Sequence, residues 1–503
     1  MEIKKIGKNL LEMLVNPHIF AIIYLPALLL RSVYLLQGYA DIICKVCFIW
    51  GCLIILYDVF LGKRNAFHSY RWYLMLAFVI ILGISILINF KYSLYDGIKN
   101  MVYCLLYFFV LYSQQQNISK QHLFASIRRC NYVLIVLTAL VGTASLLTFI
   151  FNINFIFETS GSIYRIGFWF NRLYGVLNPN TGTMLGLTSV ILCGINYYLS
   201  NRKPGCWWIL YIYNFIIQFV YFALSNSRAA IGCSAVVLIL VLVFITFPYL
   251  RARKRLWHSL VLTGVSGLLV VCAAVGMTAG TQTVMKKVPQ LTAGLPEKIN
   301  HSTNPITQNG WNEENNEIDF DRVEDFENGA DITNNRMGMW TAAWKVVMQH
   351  PVFGIAAPDC LTADGALKGN IDASALTEAD LTSLQRADFY FHNGYIQILL
   401  TTGFAGFAVF MALSLFIACR FLAYLFKAPK NSLIYKAVVL ISSLLAVVVI
   451  DNLVEVHFLF GGPDALSAVF WYLAGTRLLL IKLSDASPAE TASNEKQEGT
   501  KYA

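Results

Sequence analysis

Three side chains of this sequence stand where chemistry could be done. His392 lies in DFYFHNGYIQILLTTGFAGF, where the chain passes from a polar stretch into an apolar one. Near neutral pH an imidazole is the side chain best suited to take a proton from an attacking hydroxyl. The alternative is a structural histidine at an interface. Arg228 lies in LSNSRAAIG, a short connection between two apolar runs. It either snorkels to lipid phosphate or grips an anion in a bidentate fork. Arg336 opens RMGMWTAAWKVVMQHP. A guanidinium there adds to the free N–H groups and positive dipole end of a helix, which favours an oxyanion. The alternative is a solvated surface arginine. Asp451, Glu455 and His457 cluster at the end of another apolar run. They either line a cavity or pair with Arg172 or Arg165 as structure. His350 reads as a partner for the C-terminal dipole of its own helix.

The elements that position these residues follow from composition. Of 503 residues, 57% are apolar and 13% charged, against about 25% charged in a soluble domain. The apolar residues come in unbroken runs of roughly 20, the length a helix needs to cross about 30 Å of hydrocarbon. The reading is an all-α polytopic membrane protein of about twelve transmembrane helices, near 18–37, 42–61, 72–90, 93–113, 131–151, 178–199, 206–224, 229–248, 258–278, 393–418, 433–456 and 462–482. The basic, then apolar, amino end lacks a small-residue cleavage site and reads as an uncleaved first helix.

Alternate connections are basic, from Lys63, Arg64 and Arg71 through Arg251–Arg255 to Arg420, Lys427 and Lys430. By the positive-inside rule these face the cytoplasm, as do both termini. The chain then divides into a membrane part over 1–278, a large extracytoplasmic loop over 279–392, a second membrane part over 393–482 and a disordered tail over 483–503. The large loop holds sixteen acidic and eight basic residues within a chain of net charge +9. The basic excess therefore faces anionic lipid and does not point to nucleic acid. Cys360 is the one cysteine of that loop, so the loop has no internal disulfide. Cys44 and Cys47, spaced C-x-x-C at the start of a span, read as apolar packing.

Within the loop, residues 300–332 are Asn-rich and acidic, the composition of a mobile insertion. Asp319, Asp321 and Glu324 do not have the spacing of an EF-hand. After it, Met337, Trp340, Trp344, Val347 and Met348 fall on one face of a helix near 334–349, capped by Asn334 and stopped by Pro351. Such a helix lies on the bundle or on the membrane interface. TEAD at Thr377 starts a further short helix.

Four segments in order resemble the O-antigen ligase and O-antigen polymerase superfamily of bacterial envelope enzymes. NRLYGVLNPNTGTMLG (171–186) resembles its Arg–Gly–Asn-Pro-Asn start of a span, and SNSRAAIG (225–232) its Ser-Arg turn. RMGMWTAAWKVVMQHPVFGIA (336–356) resembles its Arg…Trp…His-Pro…Gly loop segment, and FHNGYIQILLTTGFAGF (391–407) its His-Asn…Gln…Gly…Gly start of the next span. Together they cover roughly 170–410. The resemblance implies a GT-C-type glycosyltransferase fold in the bacterial cytoplasmic (inner) membrane. It implies a metal-independent enzyme with no cofactor. An undecaprenyl-diphosphate-linked glycan would be moved to a hydroxyl of a glycan, lipid or protein acceptor. It makes His392 the general base and Arg228 and Arg336 diphosphate ligands. Arg172, Asn180, Asn393, Gln397 and Trp340 become substrate-binding positions. The 300–332 insertion and residues 361–387 make the loop longer than the family core.

A transporter or flippase of lipid-linked glycan would show repeats or paired broken helices across two halves, and the sequence shows neither. A metal-dependent lipid-phosphate-sugar transferase needs an acidic pair in its first outer loop, where QGYAD offers Asp41. Ligase and polymerase share their chemistry, and the His-Asn and Arg…Trp…His-Pro segments lean to the ligase form.

Overall fold

The computed structural model describes residues 11–62, 65–114, 118–159, 162–288, 311–312, 317–318, 320, 336–362, 364–388 and 390–485. Asn334, Asp319, Asp321, Glu324, most of 300–332 and the tail from 486 lie outside the described residues.

Each expected span falls on a helix. In chain order these are α1 Pro17–Arg31, α2 Gln37–Phe60, α3 Trp72–Ile88, α4 Phe90–Tyr112, α5 Lys120–Ile150, α6 Pro179–Leu199, α7 Trp207–Ser225, α8 Arg228–Arg251 and α9 Leu256–Met285. The loop then contributes α10 Arg336–Gln349 and α11 Glu378–Ala387, before α12 Gly394–Lys427, α13 Leu433–Asp451 and α14 Ala465–Asp485. Ten of the helices are long and apolar enough to cross a membrane, and α1 and α3 are shorter apolar helices. The chain is a multi-pass membrane protein.

The helices differ in what they touch. α6, α13 and α14 have most of their apolar windows buried, whereas α8 and α9 have 11% and 6% buried. With no water to satisfy backbone groups, a helix can leave its sides to lipid. α13 packs between α6 and α8, so the well-enclosed core and the lipid-facing helices meet along it.

Two features depart from an all-helical reading by hydropathy. Between α5 and α6 the chain forms an antiparallel sheet of β1 Phe155–Thr159, β2 Ser162–Trp169 and β3 Arg172–Gly175, in that order. Second, α12 is broken at Gly403, which has φ +62°. The segment after α10 is inserted into the break. Phe404 N–H donates to the Pro351 carbonyl at 2.7 Å and Ala405 N–H to Val352 at 3.1 Å. In return Ile355 and Ala356 N–H donate to the Leu400 and Thr401 carbonyls at 2.7 and 3.1 Å. These four exchanged bonds give groups freed by the break partners within protein, as irregular backbone at membrane depth requires. A Cβ on Gly403 would run into the Val352 carbonyl. The His-Pro…Gly and Gly…Gly motifs therefore lock loop to bundle.

The loop helix α10 buries Met339, Ala342, Ala343, Val346 and Val347 against α11 and α12. Met337, Trp344 and Met348 face outward, and the Trp344 ring meets exposed Phe404 at 5.9 Å. Of the five residues expected on one face, Met337, Trp344 and Met348 are thus outward, whereas Val347 is buried and Trp340 packs against the same buried cluster. Thr377 and Asp380 form the capping box at the start of α11, and Lys345 of α10 pairs with Asp380 at 2.5 Å. His350 Nε2 lies 2.7 Å from the Asn370 carbonyl, so it ties the end of α10 to the following chain.

Candidate active site

At the loop-bearing end of the bundle four side chains converge on Glu455. The eleventh expected span stops at Asp451, four residues short of this carboxylate. Glu455 therefore sits on the irregular segment between α13 and α14, and Asp451 and Glu455 do not share a helix face.

The Asn178-Pro179-Asn180 motif builds the first support. Asn178 caps α6, its side-chain oxygen accepting from the Asn180 N–H at 2.9 Å. Pro179 occupies the first turn, where its missing N–H costs nothing. That leaves the Asn180 side chain as a junction. Its Nδ2 donates to Glu455 Oε1 at 3.1 Å, and its Oδ1 accepts from Arg172 Nη2 at 2.8 Å and Ser227 Oγ at 3.2 Å. Arg172 Nε also donates to the Ser225 carbonyl at 2.9 Å, which satisfies the exposed end of α7. Asn226 then turns the chain with φ +50° and Ser227 caps α8, presenting Arg228 exposed on the first helical turn. The tight Ser-Arg turn is thus fastened to the sheet through Arg172 and to α6 through Asn180.

The other side of Glu455 is made by the loop. Arg336, at the start of α10, reaches Oε1 with Nη2 at 3.2 Å. Tyr390 donates its hydroxyl to Oε2 at 3.1 Å, and His392 Nδ1 lies 3.2 Å from the same oxygen. His392 has φ +49°, an unusual conformation for a residue with a Cβ and one found at functional sites. Its ring packs edge-on against Tyr390 at 4.7 Å, and its side chain remains 36% exposed.

Glu455 is 7% exposed. Burial alone would raise its pKa. The hydrogen bond and charge of His392, then the charges of Arg336 and His457, outweigh burial and hold the carboxyl at about 2, below its ordinary 4.5. It is an anion throughout the neutral range. An anionic acceptor beside Nδ1 selects the tautomer with a proton there, which leaves Nε2 as the basic nitrogen.

The expected site residues fall into two groups. Arg172, Asn180, Arg336 and His392 are joined through Glu455 and Asn180, with Arg228 next to Ser227 on the same rim. Trp340, Asn393 and Gln397 each direct a side-chain nitrogen at a backbone carbonyl. Trp340 Nε1 donates to the Phe391 carbonyl at 2.8 Å. Asn393 caps α12 and donates to the Leu453 carbonyl at 3.1 Å. Gln397 Nε2 donates to the Phe460 carbonyl at 2.9 Å. These three hold the segments that carry His392 and Glu455. The role of Glu455 as the junction is not visible in sequence, because its partners lie 63 to 275 residues away in the chain. Among the described residues no cluster of His, Cys, Asp and Glu is arranged to hold a metal ion.

Residues 213–411 match a family model described as O-antigen ligase, a range that takes in Arg228, Arg336 and His392. No curated protein matches the chain.

Proposed function

We propose, for a chain whose residues 213–411 belong with the O-antigen ligase/polymerase superfamily of surface polysaccharide biosynthesis, that it is an inverting glycosyltransferase. The donor is an undecaprenyl-diphosphate-linked glycan, the acceptor a hydroxyl, and the face of action the extracytoplasmic side of the bacterial inner membrane. The observation that carries this reading is the Glu455–His392 pair set among arginines at the loop end.

The acceptor O–H approaches Nε2 of His392. Its oxygen attacks the anomeric carbon while the bond from that carbon to the diphosphate breaks, and the proton passes to Nε2. The electron pair of the broken bond leaves with the lipid diphosphate. Arg228 and Arg336, with Arg172 behind them, stabilise that charge, which is greatest in the transition state. Glu455 stays ionised and stabilises the imidazolium that forms, as a carboxylate does in a catalytic triad. Direct displacement at one carbon inverts its configuration. The outward Met337, Trp344 and Met348 of α10 suit a helix resting in the membrane interface, which keeps Arg336 at headgroup level. The ligase form is favoured over the polymerase form by the His-Asn and Arg…Trp…His-Pro segments.

The test is the anomeric configuration of the product formed by purified protein from a donor of known configuration. A new glycosidic bond of inverted configuration is expected. Retention, or a donor that crosses the bilayer without bond cleavage, would contradict the reading.

A further inference from the structure

Two residues beyond Glu455 lies an enclosed charge cluster that the transfer step does not touch. His457 is 4% exposed, with a carboxylate on each ring nitrogen. Its Nδ1 is 3.0 Å from Asp464 Oδ2 and its Nε2 is 3.3 Å from Asp451 Oδ2. The Asp464 contact is a hydrogen bond and the Asp451 contact an ion pair, and two flanking anions favour the imidazolium. Burial opposes that charge, but Asp464 and Asp451 outweigh it and raise the His457 pKa well above its ordinary value.

The two carboxylates belong to different helices. Asp451 is the last residue of α13. Asp464 precedes α14, and its Oδ2 also accepts from the Ser467 N–H at 2.7 Å. His457 therefore bridges the end of one helix to the start of the next, and Glu455 rides on the segment it bridges. Two further cations reach that segment, Arg336 at Glu455 and Arg31, whose Nη1 donates to the Pro463 carbonyl at 3.2 Å; its remaining ties are neutral. Gly394 N–H donates to the Asn452 and Glu455 carbonyls at 2.9 and 3.0 Å, and Trp471 Nε1 to Phe458 at 2.8 Å. The Tyr390 hydroxyl accepts from the Val456 N–H at 3.1 Å.

We infer that His457 is a positioning residue: clamped as a cation between Asp451 and Asp464, it fixes the 452–464 segment so that Glu455 stays within hydrogen-bond reach of His392. The inference rests on the glycosyl-transfer reading. The charged and titratable groups around His457 are Asp451 from α13, with Cys233 of α8 beside it, Asp464 and Glu455 from its own segment, and Tyr107 of α4 and Tyr390 near Asp464. Those around His392 are Glu455 and Tyr390, with Arg336 across the carboxylate. Removal of the clamp leaves two buried carboxylates without their cation, so the segment relaxes and Glu455 withdraws from Nδ1. The anion that steadies the imidazolium formed in the transfer step is then out of reach.

The experiment is the pH–rate profile of full-length wild type, His457→Gln and Asp451→Asn, with donor affinity measured alongside. His457→Gln is expected to transfer about 10–10²-fold more slowly, as for a small misplacement of catalytic groups. The loss should appear in the rate at saturating donor while donor affinity stays within a few-fold. Asp451→Asn, which keeps the Asp464 pair, should slow transfer in the same way by less. A folded His457→Gln protein with an unchanged profile would overturn the inference and leave the glycosyl-transfer reading standing. If His457→Gln does not fold, an unchanged profile in Asp451→Asn overturns it instead. A wild type inactive at every pH, with donor intact, strikes the glycosyl-transfer reading itself and takes the inference with it.

Discussion

The two ends of the bundle carry the same cationic residue types and use them differently. At the end away from the loop, the Arg71 guanidinium lies 4.3 Å from the Phe416 ring, and Arg253 lies 4.2 Å from Tyr249. Arg420 pairs with Asp485 at 2.6 Å, both well exposed. These cations keep their heads near water and need only an aromatic or lipid neighbour. At the loop end, Arg172 and Arg336 are held by Asn180 and Glu455, which are themselves held by other elements. Direction there is set twice over. On the glycosyl-transfer reading proposed above, the loop-end cations meet charge developing on a leaving group and must be in place beforehand.

Substitutions at the two ends should therefore separate by orders of magnitude. His392→Ala is expected to lower transfer by about 10²–10⁴-fold with donor binding kept. An effect below tenfold would remove His392 from the proton transfer. Arg336→Lys should cost about 10²–10³-fold in the same assay, because a point charge does not reproduce the fork. Full activity would break the contrast between the ends.

Glu455→Gln should cost about 10–10²-fold, since the charge that steadies the imidazolium is lost. It also carries a signature in stability. The Glu455 pKa is held at about 2 against an ordinary 4.5, so its ionised form stabilises the fold fully above pH 4.5. That contribution is lost as pH falls towards about 2. Acid unfolding of the Gln variant should lack that part of the pH dependence. Gly403→Ala forces a Cβ against the Val352 carbonyl at positive φ and should destabilise by about 1–3 kcal/mol, read as a lower thermal midpoint in detergent. Smallest of all, Arg420→Ala should change stability by no more than about 0.5 kcal/mol and leave transfer unchanged.

What the sequence made legible follows from the same physics. Unbroken apolar runs fix the spans because a bilayer tolerates little else. His392, Arg228 and Arg336 stand out because charge and imidazole beside such runs are rare. Hydropathy does not see backbone direction, so the break at Gly403 is hidden inside an apolar run. The β1–β3 sheet is hidden for a similar reason: it lies in a connection between spans, where apolar length says nothing. Glu455 is one acidic residue among several near the end of α13, and only the fold brings Asn180, Arg336, Tyr390 and His392 onto it. The buried face of α10 is built from Met339, Ala342, Ala343, Val346 and Val347, and spacing of the bulkiest residues finds only Val347 of these, because small residues carry the close approach.

The most direct measurement is release of lipid diphosphate by wild-type protein in liposomes, with donor and acceptor supplied and EDTA present. The account predicts release in step with a new glycosidic bond at the face that carries the large loop. Donor recovered intact, on either side of the bilayer, would contradict it.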